Sequence, residues 1–396
     1  MRVLIVTKIF PSERNPNMAP FNRHQFVALS RLCDVDLFVC HPWFPGESFV
    51  NRVRHGRPLP AIQTSASVDG FDYSQRHVFH IPKLGHPLSG LTYATSMLPA
   101  ALRLRGKADV VLGAFAYPDG FAAVLLAKLL GVPAVIKVHG TDINLLGDMP
   151  TLRPLISWAL GAADAVIGPS QALVERAKHL GAAPATARCI LNGVDKQAFH
   201  PRERDACRRE LGIQSDKRWI LYIGLMIDRK GGRDAIAAFR RLRERRQDVE
   251  LVMLGDGPSL EAYRAEATGL PVHFPGRVAH EAIPTWLGAC DVLTLPSWAE
   301  GTPNVIIEAL VSGRPVVASK VGGIPAVLNH ETLGECVPPQ RPEALAAALA
   351  RVLDSAHDPE AIARRAGFGD WTESAAQVLD VLESAVRSRT LDASRP

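Results

Sequence analysis

The sequence predicts an α/β protein of two Rossmann-like domains, each built on a parallel sheet covered by helices. Three observations carry this. The chain has 396 residues, more than one hydrophobic core usually serves, so two domains of roughly 150–200 residues are the natural division. Short apolar runs alternate with helical patterns through both halves, which is the mark of strand–helix units. Hydrophobic residues make up 47% of the chain and charged ones 21%, enough apolar material for two cores and not the composition of a disordered chain.

In the first domain, residues 1–192, strands are predicted at 3–6, 36–39, 110–112, 134–138 and 165–167. Residues 121–130 read as a helix that Gly131-Val132-Pro133 stops. Residues 46–70 lack clear periodicity and are rich in Pro, Gly and Ser, which predicts a long, mobile loop. A turn at Asn192-Gly193-Val194-Asp195 and the polar stretch through His200-Pro201 predict a linker. The second domain, residues 193–367, then alternates again through apolar runs at 219–223, 250–254, 272–274, 292–295 and 315–318 and helical patterns at 234–243, 283–287 and 305–310. The last forty or so residues read as helical. The interruption at Phe368 and Trp371 would let residues 368–396 cross back and complete the first domain.

Composition also narrows the partners. The run Val3 to Val6 is too short for a signal-peptide core, and the most apolar later stretch, around residues 121–138, is broken by Lys128, Pro133 and Lys137. Neither a leader nor a membrane span is predicted. The six cysteines, Cys33, Cys40, Cys189, Cys207, Cys290 and Cys336, show no paired spacing and read as reduced packing residues in a cytoplasmic protein. Residues 1–192 carry 19 Lys and Arg against 12 Asp and Glu, while residues 193–396 carry 26 against 28. The basic excess of the first half gathers at Arg52, Arg54 and Arg57 and at Arg103, Arg105 and Lys107. It fits an anionic partner such as a phospholipid surface or a lipid diphosphate, and equally a solvated face. No nucleic-acid partner is expected. Asp34-Val35-Asp36 resembles a metal-binding pair but lies in a strand-like alternation, and no His or Cys cluster has metal-ligand spacing, so no metal is expected.

The stretch Ser297-Trp298-Ala299-Glu300-Gly301-Thr302-Pro303-Asn304-Val305-Ile306-Ile307-Glu308 carries the most chemistry. The chain leaves a strand, turns through Glu300 to Pro303 and enters a helix, with Pro303 suited to the first turn because it has no N–H to leave unpaired. The free amides of that turn, near Asn304 and Val305, form an anion site that the helix dipole favours. Glu308 lies further along, where a carboxylate can accept from two hydroxyls of a ribose.

This arrangement resembles the E-x7-E motif of the retaining GT-B glycosyltransferases of family four, also called glycosyl transferases group 1. The family includes sucrose synthases, bacterial glycogen synthases and many exopolysaccharide and teichuronic-acid-type enzymes. The resemblance implies a fold of two Rossmann-like domains facing a central cleft, with a UDP-, GDP- or ADP-linked sugar in the second domain and a glycan or lipid-linked acceptor in the first. It implies that Glu300 contacts the donor sugar and Glu308 the ribose. The stretch Val138 to Asn144 is similar to the family segment whose histidine sits beside the donor sugar, which implicates His139, with Asp142 orienting it or meeting the acceptor. Gly224 to Gly231 resembles the family's phosphate loop, so Lys230 would neutralise the diphosphate; where relatives usually carry an arginine this chain has Leu225, which Arg229 would partly replace. Turns at Gly255-Asp256 and Arg277-Val278 would surround the base, and Thr302 and Pro303 would also belong to the donor site. At the first turn, where many relatives have a Gly-Gly pair, this chain reads Pro16-Asn17-Met18-Ala19-Pro20-Phe21, and Asn17 is the candidate acceptor contact there. Lys230 and helix amides stabilising the leaving group make a metal cofactor unnecessary. Two other readings share the fold: a nucleotide-sugar epimerase, and a catalytically silent glycan-binding subunit.

Overall fold

A computed structural model describes residues 1–13, 15, 18–55, 62–80, 86–213 and 215–393. The chain forms two compact units, Met1–Gly193 joined by Trp371–Pro396, and Val194–Asp370 between them.

The first unit holds strands β1 (Arg2–Thr7), β2 (Asp34–Trp43), β3 (Ser65–Val68), β4 (Phe71–Phe79), β5 (Val110–Gly113), β6 (Ala134–Lys137), β7 (Ala165–Gly168) and β8 (Ala187–Cys189). They form one sheet in the order β3-β4-β2-β1-β5-β6-β7-β8. All neighbours are parallel except the β3–β4 hairpin at one edge. The second unit holds β9 (Arg218–Ile223), β10 (Val249–Leu254), β11 (Val272–Gly276), β12 (Val292–Leu295), β13 (Val316–Ser319) and β14 (Gly334–Val337). Its sheet runs β11-β10-β9-β12-β13-β14 and is parallel throughout. The central strands read as unbroken apolar runs because helices cover both faces: Val3 to Val6 and Ile220 to Tyr222 are buried at every residue.

Residues 46–70 are not one long loop. They include a helix, Glu47–His55, and strand β3. No described residue of that helix is buried, so it has no core-facing stripe for periodicity to reveal. Residues 56–61 lie outside the described residues. Strand β4 also escaped the list of apolar runs, although its buried positions Phe71, Tyr73, Gln75 and Val78 follow a near-alternation that polar neighbours interrupt.

At the far end, the helix Pro359–Ala366 stops at Gly367, and the last helix, Trp371–Ala393, begins in the first unit. Its Ala375, Val378, Leu382 and Ala385 enter the core with Phe26 and Leu29 of the helix Pro20–Ser30. A polar chain fastens the same junction, in which Gln25 donates to Ser374 Oγ (3.0 Å) and Ser374 donates to the Leu191 carbonyl (2.7 Å). Lys137 Nζ bonds Gln25 Oε1 from β6, and burial pushes this ammonium down to about 7. Asp36 of β2 is engaged by the Arg2 guanidinium at 2.6 and 3.1 Å, a partner for the carboxylate that sequence alone could not supply. Cys40, Cys207 and Cys290 are buried, Cys33 and Cys336 half-buried and Cys189 exposed, and all six are free thiols. Among the described residues, no helix is long and apolar enough to cross a membrane.

Candidate active site

Open parallel sheets bind ligands at the carboxyl ends of their strands, beside the point where strand order reverses. In the second unit that point lies between β9 and β12. The loop after β9 carries Gly224 to Gly231 and the loop after β12 carries Pro296 to Pro303, so topology alone brings the two most informative sequence stretches together.

The two loops are stitched by backbone. Trp298 N–H donates to the Arg229 carbonyl (2.9 Å), and the Trp298 indole donates to Asp234 (2.7 Å). Gly231 has φ +72°, and a Cβ there would meet the Pro296 carbonyl at 1.9 Å, so only glycine allows this approach. Tyr222 Oη lies 3.2 and 3.3 Å from the carbonyls of Leu225 and Lys230 and supports the loop from beneath.

On this frame Lys230 Nζ meets Glu300 Oε1 at 2.6 Å, and Ser297 Oγ donates to the same oxygen at 2.7 Å. The side chains of Lys230 and Glu300 are 21% and 8% exposed, so the pair is largely out of water yet open on one side. Glu300 is fixed in turn, because Gly323 N–H donates to Gly301 O (2.7 Å) and Gly322 packs against the Glu300 carbonyl. Leu225 is exposed where the family's arginine is expected, and Arg229 is exposed on the turn Asp228–Lys230. Thr302 is half-buried in the turn that follows Glu300.

Pro303 does not occupy the first helical turn. The helix is Asn304–Val311, and Pro303, with φ −72° and ψ 122°, is its N-cap. Its carbonyl accepts from Ile306 N–H at 3.1 Å. The extended ψ that this cap needs moves the start of the helix one residue along. The amides of Asn304 and Val305 then lie in the first turn of the helix, at its positive end. One turn on, Glu308 is 15% exposed and its Oε1 lies 3.2 Å from His280 Nε2. That hydrogen bond raises the imidazole's affinity for a proton above its ordinary value, against the opposing effect of burial.

The remaining predicted contacts line the ends of β9, β10 and β11. Gly224 N–H donates to the Leu254 carbonyl (3.0 Å), Gly255 N–H to the Gly276 carbonyl (2.9 Å), and Met226 N–H to the Asp256 carbonyl (2.8 Å). Arg277 and Asp256 face each other at 3.8 Å, both about half exposed. Val278 is half-buried against the core.

In the first unit, His139 follows β6 and lies between two aromatic rings, Phe21 at 5.0 Å and Phe115 at 6.5 Å. Its Nε2 is buried and has no hydrogen-bond partner among the described residues. Burial, reinforced by the nearby Lys137, pushes the imidazole well below its ordinary value, so the ring is neutral at physiological pH. Among the described residues, Asp142 bonds backbone amides and not this ring. It is fully buried, with Oδ1 accepting from the amides of His139 (3.0 Å), Gly140 (2.8 Å) and Ile143 (3.1 Å) and Oδ2 from Ala116 (2.8 Å). A carboxylate has acceptor sites for all four, so this aspartate shapes the loop backbone that carries His139. Asn17 lies outside the described residues.

Sequence reasoning gave no role to His280, Ser297, Asp234, Phe21 or Phe115. It also passed over Asp119, whose Oδ2 accepts from Lys8 N–H (2.9 Å) and whose carboxyl burial pushes up to about 7, with Lys8 opposing. Ser297 meets Glu300 only three residues along, inside the very stretch that carries the motif, whereas the others meet their partners through tertiary contact at no recognisable spacing.

Residues 217–355 match the family model described as Glycosyl transferases group 1, and residues 65–198 match the one described as Glycosyltransferase Family 4. The chain is 26% identical over 358 residues to the teichuronic acid biosynthesis glycosyltransferase TuaC of Bacillus subtilis, covering 89% of each chain. It is 30% identical over 307 residues to the D-inositol 3-phosphate glycosyltransferase of Paenarthrobacter aurescens, covering 72% of this chain and 74% of that one. Among solved structures, sucrose-phosphate synthase from Thermosynechococcus elongatus superposes with a TM-score of 0.78 at 20% identity, covering 100% of this chain and 99% of that one. Anabaena HepE in complex with UDP superposes at 0.75 and 20% identity, covering 97% and 100%. With family models matched in both units and this degree of identity to a relative, the chain belongs to the family 4, or group 1, glycosyltransferases and has their GT-B fold.

Proposed function

We propose that this glycosyltransferase moves a hexose-type sugar from a nucleoside diphosphate donor, held by the second unit, to a hydroxyl of a glycan or lipid-linked acceptor, held by the first. The anomeric configuration is retained and no metal takes part. The observation that carries the reading is the Lys230–Glu300–Ser297 constellation at the switch point of the second sheet, with a helix N-terminus beside it. In the donor-free chain Lys230 and Glu300 neutralise each other. A diphosphate brings charge that competes for Lys230 and leaves Glu300, still held by Ser297, free to accept from sugar hydroxyls. As the bond from the anomeric carbon to the phosphate oxygen breaks, Lys230 and the amides of Asn304 and Val305 stabilise the leaving oxyanion. The acceptor oxygen bonds to the same face, and its proton passes to the departing phosphate oxygen. Neutral His139, on the first unit, has a buried Nε2 with no partner among the described residues and can offer a hydrogen bond to a sugar hydroxyl without adding charge.

The same reading places the first unit against an anionic membrane. The helix Ser89–Leu102 contains no charged residue. It buries Tyr93, Ala94, Met97 and Ala101 and leaves Leu91 and Leu102 exposed, in line with Leu88 just before it. Exposed Arg103, Arg105 and Lys107 follow. On the helix Glu47–His55, Phe49 and Val53 are 71% and 70% exposed beside exposed Arg52; Arg57 lies outside the described residues. Apolar side chains to insert and cations to meet headgroups are what an interfacial surface requires.

One assay tests both claims. The protein is incubated with UDP-, GDP- and ADP-linked sugars and an acceptor panel, with and without vesicles containing anionic lipid, while nucleoside diphosphate release and co-sedimentation are followed. The expected result is release from one nucleotide class, and vesicle binding that fades as salt is raised, because each cation contributes about 1 kcal/mol near a charged surface. Isomerised nucleotide sugar without release would favour an epimerase. Binding that ignores salt or lipid charge would remove the membrane claim.

A further inference from the structure

Glu308 is held by a residue that lies outside the helix on which it sits. His280 opens the short turn His280–Ala282 beyond β11, and its ring packs against the buried Phe199 with centroids 5.6 Å apart. Because a carboxylate only accepts, the 3.2 Å contact has the His280 Nε2–H donating to Glu308 Oε1. This uses one acceptor site of Oε1, and Oε2 has no hydrogen-bond partner among the described residues. The acidic groups around the imidazole come from three places: Glu308 on the helix Asn304–Val311, Glu281 on its own turn, and Asp195 at the start of the second unit.

We propose that His280 is a positioning residue for nucleotide binding, fixing the Glu308 carboxylate so that its other oxygen faces the ribose diol. The proposal rests on the reading of Glu308 as the ribose contact. A glutamate side chain with no fixed partner samples several rotamers, and a ribose that must first order it loses affinity. A hydrogen bond from an imidazole anchored on Phe199 removes most of that cost in advance. The effect belongs to ground-state binding of the nucleotide, so it falls on donor KM and leaves kcat nearly unchanged. An amide at the same position can donate the same bond, and a methyl group cannot.

The test titrates UDP, GDP and ADP, each beside its 2′,3′-dideoxy analogue, into wild-type protein, His280→Ala, His280→Gln and Glu308→Gln. For the nucleotide that binds, His280→Ala should weaken the ribonucleotide about tenfold, as expected for loss of a hydrogen bond to a charged group. The dideoxy analogue should bind wild type and His280→Ala alike, which also reports an intact site. His280→Gln should restore most of the affinity, and donor KM should follow the same order at nearly constant kcat. If Glu308→Gln does not narrow the gap between ribonucleotide and dideoxynucleotide, the ribose role of Glu308 fails and the proposal with it. If Glu308→Gln narrows that gap and His280→Ala does not, the ribose role stands and the His280 proposal is overturned. Equal losses for both ligands in His280→Ala also overturn it, since they would mark a general structural defect.

Discussion

Lys230 is the residue whose environment most clearly exceeds what packing requires. A lysine and a glutamate 2.6 Å apart and mostly withdrawn from water form a pair whose desolvation offsets much of its attraction, so stability alone gives little reason to place them there. Lys230→Ala should lower kcat much more than it lowers affinity for the nucleoside. Removing a charge-assisted contact to the leaving diphosphate costs about 1.5–3 kcal/mol, or roughly tenfold to a hundredfold in rate. Steady-state kinetics with the defined donor, set against calorimetry of the nucleoside, checks this; full activity would make Lys230 an ordinary surface residue. Lys230, Glu300 and Glu308 were legible because each lies in a local strand–turn–helix pattern. His280 and Phe21 were not, since His280 is 28 residues from Glu308 and Phe21 is brought to His139 only by the fold of the first sheet. Asp142 was legible as an important residue but not in its role: sequence shows a carboxylate near His139, and only the backbone path shows that four amides claim it.

Among the elements, fully buried parallel strands were the easiest to read, since β1, β9 and β12 are short apolar runs followed by turn signals. Besides β4, strands β3, β8 and β14 were missed. These three lie at the edges of their sheets, where fewer apolar neighbours are required. The return of the chain to the first unit was anticipated from the break near Phe368 and Trp371, and the structure gives it an energetic basis. Leu382 is completely buried in the same cluster as Phe26 and Leu29. Leu382→Ala should therefore destabilise the first unit by about 2–5 kcal/mol, the usual range for emptying a buried leucine site. Nucleotide affinity, which the proposed function assigns to the second unit, should be unchanged. Thermal unfolding measured alongside nucleoside diphosphate titration checks both parts, and an unchanged melting profile would mean that the last helix is not part of this core.

For the molecule as a whole, the basic excess of residues 1–192 and the near-balance of residues 193–396 follow the proposed division of labour between an acceptor unit near a charged surface and a donor unit built around one bound diphosphate. The division into two units was legible in the sequence because strand–helix alternation survives without coordinates. The side-chain partners within each unit did not survive in this way. The central claim is that the loop from Glu300 to Glu308 lies along the donor from sugar to ribose. Calorimetric titration of nucleoside diphosphate, paired with donor turnover, tests it in Glu300→Gln and Glu308→Gln. Glu308→Gln should weaken nucleoside diphosphate binding, because an amide replaces one acceptor with a donor facing the ribose hydroxyls. Glu300→Gln should leave that affinity nearly intact while lowering kcat/KM by roughly tenfold or more, about 1.4 kcal/mol of transition-state binding. Equal losses of nucleotide affinity in the two variants, or no effect in either, would contradict the account.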